Sequence, residues 1–352
     1  VASEVSAAVT PSHTGESPWR LGWRRLRGNR VALAFGGLFV LIVAFTLAAP
    51  LWAGNVAHTG PNETHTLEKV EVGGEEREVV NPSGKPVGPL WLGAGGKFFL
   101  GADGRLGRDE MVRLMYGGRT SLLIGFAATL ITTLLATLLG LLAGYFRGWT
   151  DTVIARAMDV VWAYPVTLLA IALGLSLAVG GLQLGPFALS GSSIWIPILI
   201  IGVVYVPYMA RPIRGEVLAL REKEFVEAAE AQGAGPLRIM FGELLPNLYS
   251  TLIVFFTLGV ANSMLLESML SFLGVGVQAP NTSWGTMIGS GFELITSAPL
   301  LTVIPGTMLL LTVLSVNILG DGLRDALDPK SKLRFEVRSG LSAAEIDEGV
   351  VP

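Results

Sequence analysis

The sequence predicts an all-α membrane protein of six transmembrane helices, with a long extracytoplasmic insertion between the first two. Three observations carry that expectation. Of 352 residues, 51% are hydrophobic and only 15% charged, with a mean hydropathy of +0.57, whereas a soluble domain carries about a quarter charged residues. Six runs are long and apolar enough to cross roughly 30 Å of hydrocarbon. Lys and Arg fall mainly on one side of those runs.

The first run, residues 31–52, directly follows a basic stretch holding Arg20, Arg24, Arg25, Arg27 and Arg30. It exceeds the roughly 7–15 residues of a signal-peptide core, so it is expected to remain as an uncleaved span. Five further runs follow at 120–146, 152–179, 193–210, 248–274 and 298–320. Placing both termini in the cytoplasm leaves most of the 25 Lys and Arg residues inside. The remainder lie in the segment 53–119, long enough to cross regardless of charge, and the short outer loops carry none. The expected organisation is a cytoplasmic segment 1–30, a first span 31–52, an extracytoplasmic segment 53–119, a five-helix core 120–320 with a cytoplasmic loop 211–247, and a cytoplasmic tail 321–352. Within the outer segment, alternating residues on either side of Gly73-Gly74 predict a β-hairpin.

The missing motifs narrow the function. With no cysteine, disulfides, zinc-thiolate sites and cysteine nucleophiles are excluded. A net charge of −3 gives no basic surface for nucleic acid. No phosphate-binding G-x-x-x-x-G-K-[ST] loop, H-E-x-x-H or G-x-S-x-G occurs, so the chain is not itself an ATPase or hydrolase. His13, His58 and His65 all lie outside the runs; the last two, near several glutamates, read as loop residues rather than metal ligands. Ionisable residues inside the spans are few and therefore worth weighing. Arg156 and Asp159, at i and i+3, predict a local ion pair. Glu267, near the outer end of span five, is expected to pair structurally with Arg113 or Arg119, direct contact with a transported solute being the other reading.

The loop 211–247 is the most informative stretch. Strong helix formers run from Pro212 to Gln232, Gly233 suits a left-handed helix end, and Pro236 opens a second helix expected to end before Pro246. Phe225, Val226, Ala229, Leu237, Ile239, Met240 and Phe241 are expected to form an apolar face displayed outside the membrane.

Within that loop, Glu227-Ala228-Ala229, Gly233 and Leu245-Pro246 match the E-A-A, three residues, G, then L-P signature. In this the chain resembles the permease subunits of binding-protein-dependent ABC importers. LGADGRLGRD at 100–109, RLMYGGRTSL at 113–122, LSFLGVGVQAP at 270–280, SWG at 283–285 and LGDGLRDALDP at 319–329 are similar to the dipeptide/oligopeptide branch, and to the second permease of such systems. The resemblance implies an ABC importer type I permease fold and a pairing with a second permease and two cytosolic ATP-binding subunits. It further implies substrate delivery by an extracytoplasmic solute-binding protein. ATP and magnesium would belong to the partners, with no cofactor in this chain, and Glu227 to Gly233 would form the coupling helix. The substrate implied is a di- or oligopeptide, with nickel or another small solute as the family alternative. Two departures stand out: Glu243 occupies a position where the family often has histidine, and the insertion is longer than usual. A secondary transporter or channel working without ATP is the competing class, and it predicts ionisable groups along a path through the membrane.

Overall fold

The computed structural model describes residues 18–72, 74–90, 96–185 and 187–327. His13, most of the tail 321–352 and the final Asp328-Pro329 of the C-terminal motif lie outside them.

A short helix α1 (Pro18–Gly28) leads to Asn29, whose side chain accepts from the amide of Ala32 at 3.1 Å and so caps α2 (Arg30–Leu47). A turn of helix, α3 (Ala49–Trp52), and a π-helical turn, Ala53–Ala57, carry the chain into the insertion. There β1 (Lys69–Val72) and β2 (Glu75–Glu78) pair antiparallel with Val72 opposite Glu75, the predicted hairpin. Val70, Val79, Phe98 and Ala102 form its own small core. Glu68 accepts two bonds from the Lys97 ammonium at 2.7 and 2.8 Å. Gly101, with φ +92, lets the chain pass so close to Val87 that an added Cβ would meet its carbonyl oxygen at 2.7 Å. The insertion thus carries a small core of its own, with the β2 side chains left exposed.

Helix α4 (Glu110–Phe146) begins ten residues before the predicted span. Its start is fixed by Asp109, whose carboxyl accepts from the amides of Val112 (2.9 Å) and Phe98 (2.6 Å). Burial pushes that carboxyl's pKa up, and the amide bonds oppose the shift. At 37 residues the helix is about 55 Å long, well beyond the hydrocarbon thickness.

The third predicted span is two helices, α5 (Gly148–Trp162) and α6 (Val166–Gly180), bent by 81°. Pro165 lacks an amide hydrogen and disfavours helical geometry at Tyr164, which breaks the run there. After the two short strands β3 (Leu182–Leu184) and β4 (Phe187–Leu189), span four is α7 (Trp195–Val204) and α8 (Val206–Arg221), bent by 40° next to Pro207. The remaining elements are α9 (Glu224–Ala231), α10 (Pro236–Arg238), a π-helical turn Ile239–Leu244, α11 (Leu245–Phe272), α12 (Trp284–Phe292) and α13 (Leu300–Leu327). Among the described residues, four helical stretches are long and apolar enough to cross a membrane, or six spans if each bent pair counts as one.

Packing depends on small residues where helices touch. A Cβ on Gly140 would lie 2.6 Å from Ile213 Cγ2, and one on Gly144 would lie 2.6 Å from Val217 Cγ1, so α8 runs directly against α4. Thr132 Oγ1 donates to the Gly202 carbonyl at 2.8 Å, and Thr129 and Ser263 hydroxyls meet at 3.0 Å, tying α4 to α7 and α11. A Gly144→Val substitution is expected to cost about 1–3 kcal/mol through overpacking. It should appear as a fall of several degrees in the thermal midpoint of the detergent-purified protein, whereas Leu134→Val, on an exposed position of α4, should leave the midpoint in place.

Candidate coupling surface

Helix α9 has one face held and one face free. Val226 is 1% exposed and packs with Tyr145, Val217, Ile239, Met240 and Leu244. Phe225 and Ala229 are half-buried against the same core. Glu224, Glu227, Ala228, Glu230 and Ala231 are exposed, and Glu224 and Glu227 sit in the first turn, where the helix dipole favours acidic groups. The predicted apolar face is therefore mostly turned inward. Val226, Ile239 and Met240 are buried, and only Leu237 and Phe241 of that set are largely exposed, because a short helix at the end of a bundle stays put only by burying its apolar side.

The end of α9 closes as a Schellman motif. Gly233 has φ +79, its amide donates to the Glu230 carbonyl at 2.9 Å, and the Ala234 amide donates to the Ala229 carbonyl at 3.0 Å. The left-handed position predicted for Gly233 is present. Two other expectations need correction. The run 212–232 is not one helix: α8 ends at Arg221 and α9 starts at Glu224, with Lys223 extended at φ −93, ψ 148. Nor does the second helix stop before Pro246. The chain continues through the π-helical turn into α11, where Pro246 occupies the first turn and needs no amide hydrogen. Leu245 is half-buried and Pro246 exposed at this junction. Glu243, half-buried, lies in the π-turn, and its carbonyl accepts from the Asn247 side chain at 2.7 Å.

Ion pairs pin the surrounding helices. Arg214 of α8 grips Asp151 of α5 with two guanidinium nitrogens, one bond 2.6 Å long. Arg147 donates to Glu222 at 2.6 Å, and Arg221 donates to the Tyr145 carbonyl. Arg156 and Asp159 do pair, at 3.6 Å, yet Asp159 has a closer partner in Arg211 at 2.6 Å. The sequence reading missed Asp151, Arg211 and Arg214: their partners are more than fifty residues apart in the chain, and the arginines registered only as positive-inside charges.

At the opposite end of α4 the expected pairing of Glu267 with Arg113 or Arg119 is absent. Three hydroxyls donate to Glu267 instead: Ser271 at 2.7 Å, Ser121 at 3.0 Å and Ser268 at 3.3 Å. Ser121 also accepts from the Trp284 amide at 3.1 Å, and Ser271 from the Val277 amide at 3.0 Å, so one carboxyl joins α4, α11 and the start of α12. Arg113 instead binds Asp103, which also accepts from Arg108 at 2.7 Å. Arg119 is exposed and lies over the Tyr116 ring at 5.6 Å. Hydroxyl spacing around Glu267, at positions 268 and 271, was the readable signal for this node. Among the described residues no cluster of metal-ligating side chains occurs.

Comparison with known proteins adds identity to this geometry. Residues 136–333 match the family of binding-protein-dependent transport system inner membrane components, and residues 17–66 match the N-terminal TM domain of oligopeptide transport permease C. A dipeptide transport system permease protein, DppC, of Alkalihalophilus pseudofirmus is 38% identical over 91% of this chain and 92% of its own length. A glutathione transport system permease protein, GsiD, of Pectobacterium atrosepticum is 35% identical over 90% and 92%. A di/tripeptide transport system permease protein, DppC, of Pseudomonas aeruginosa is 37% identical over 92% and 96%. Among solved structures, a chain of the inward-facing MetNI methionine ABC transporter overlays with a TM-score of 0.49 at 18% identity, covering 61% of this chain and 96% of that one.

Two outcomes test the geometry. An L-residue in the left-handed conformation costs about 1–2 kcal/mol, so Gly233→Val should speed amide hydrogen exchange across residues 224–232 roughly tenfold while exchange in the outer half of α11 stays unchanged. Glu267→Ala strands three buried hydroxyls at about 1–3 kcal/mol each. It should lower the thermal midpoint clearly more than Glu267→Gln, which keeps an acceptor in place.

Proposed function

The chain belongs to the binding-protein-dependent transport system inner membrane components, the permease subunits of ABC importers, and we propose that its α9 surface is the handle through which ATP-binding subunits drive peptide import. The chain has the type I permease fold and is a multi-pass inner-membrane protein. It pairs with a second permease and two cytosolic ATP-binding subunits, which bring ATP and magnesium, and it accepts di- or oligopeptides from an extracytoplasmic solute-binding protein. Both termini and the loop 211–247 face the cytoplasm, and the segment 53–119 faces outward.

The observation that carries this reading is the match of signature to geometry. Glu227, Ala228 and Gly233 are exposed on a short capped helix, while its other face is locked into the core shared by α4, α8 and α11. A push on the exposed face reaches those helices through Val226, which is buried in their shared core. Coupling of this kind needs one conformation to be favoured by ATP in the partners and the other by its hydrolysis. The pocket that Thr132, Tyr205, Tyr208 and Asn262 line has no charged residue in its lining, which is unlike the ionisable path an ion-coupled secondary transporter needs.

The test is reconstitution of the complete complex in proteoliposomes with short peptides supplied through the binding protein. Peptide uptake that needs ATP is expected. Gly233→Val should lower uptake at least about tenfold while the assembled complex still hydrolyses ATP. Uptake driven by an ion gradient without ATP, or full transport by the Gly233→Val complex, would refute the reading.

A further inference from the structure

A band of neutral polar groups lies half-way along the bundle. Asn262 is ten residues before the end of α11, about 15 Å below it, which is the middle of a hydrocarbon core of about 30 Å. Its side chain is exposed, and no hydrogen bond among the described residues engages it. Tyr208 is 59% exposed. It meets Tyr205 edge-on at 6.4 Å and Trp162 at 6.2 Å. Tyr205, Tyr208, Thr132, Phe255, Gly259 and Asn262 line a pocket of about 170 Å³ at the break between α7 and α8, far larger than the roughly 10–15 Å³ a water needs.

Lipid cannot satisfy the exposed carboxamide of Asn262 and phenol of Tyr208 at this depth, so they face a wet path or protein, with half-buried Tyr205 beside them. The lining carries no charge. Outside the lining, Arg211 is stacked on Trp162 at 3.9 Å and pairs at 2.6 Å with Asp159, which Arg156 also approaches at 3.6 Å. The lining itself offers no carboxylate for a metal ion and no cation for a small anion. It offers donors and acceptors, in the form of a carboxamide and phenols, beside aromatic faces. That matches the one feature shared by peptides of any sequence, a donor and an acceptor on each backbone unit, with side chains lying against the rings.

We infer that Asn262, Tyr205 and Tyr208 form a peptide-backbone binding girdle on the wall of the translocation path. The inference rests on the peptide-import reading above and assigns the point inside the membrane where the substrate's amides exchange water for protein. Because the girdle reads backbone, it tolerates varied side chains.

The natural absence of cysteine in this chain makes the test direct. Asn262→Cys, Tyr208→Cys and, as a control on an exposed apolar position of α13, Leu310→Cys are introduced singly. Each is assembled in the complete complex in proteoliposomes and treated with a charged, membrane-impermeant methanethiosulfonate, with labelling read as the mass of this chain. Labelling at 262 and 208 but not 310, slowed several-fold by trialanine supplied with the binding protein and ATP, is expected. Unlabelled 262 and 208 in complexes that import peptide would overturn the girdle, showing the face to be closed against the second permease or lipid. Labelling that trialanine leaves unchanged in such complexes would equally overturn it. A wild-type complex that imports no peptide is the separate failure of the transport reading, and is recognised before any cysteine is introduced.

Discussion

The close approach of α4 and α8 is the constraint on which the rest of the molecule depends. Within a bilayer there is little hydrophobic force to draw helices together, so contact must come from shape. Gly140 and Gly144 provide it by leaving room for Ile213 and Val217. That contact positions α8, and the core growing from it at Tyr145, Val217 and Leu244 receives Val226. Remove the approach and α9 loses the surface that gives it a fixed place. The exposed signature residues would then sit on a tethered peptide with no fixed orientation.

Helix α4 also organises the other end. Being longer than the bilayer is thick, it projects into the insertion, where Asp109 caps it and Arg113 holds Asp103. Between those ends it donates Ser121 to the Glu267 node. These polar arrangements differ in character. The Asp103 network pairs opposite charges, and one of its groups, the Arg113 Nε, remains unpartnered. The Glu267 node uses neutral hydroxyls, which avoids bringing a second long charged side chain into an apolar region. Both serve to tie distant segments to one pillar.

Much of this was legible before the fold was known, wherever the cause is local. The apolar runs, the hairpin around Gly73-Gly74 and the left-handed Gly233 each depend on a few adjacent residues. The E-A-A and L-P signature was readable for the same reason. Breaks at Pro165 and Pro207 were also present in the sequence, yet hydropathy alone merged the halves, since a bent span is as apolar as a straight one. The remote partners, Ser121 for Glu267 and Arg211 for Asp159, were beyond reach. Several cations and hydroxyls were equally available in sequence, and only helix rotation selects among them. The same missing rotation hid which of Phe225, Val226, Ile239 and Phe241 face inward, and hid the polar band at Tyr208 and Asn262 altogether.

The two joints of α9 carry a consequence for how it is held. Towards α8 the chain passes an extended residue at Lys223, and towards α11 it passes the left-handed Gly233 and the extended Gly235 before helix resumes at Pro236. Neither joint continues a helical ladder, so the orientation of α9 comes from its side-chain burial, chiefly Val226, and not from its chain connections. A cavity opened beneath Val226 would therefore free the helix at both ends at once.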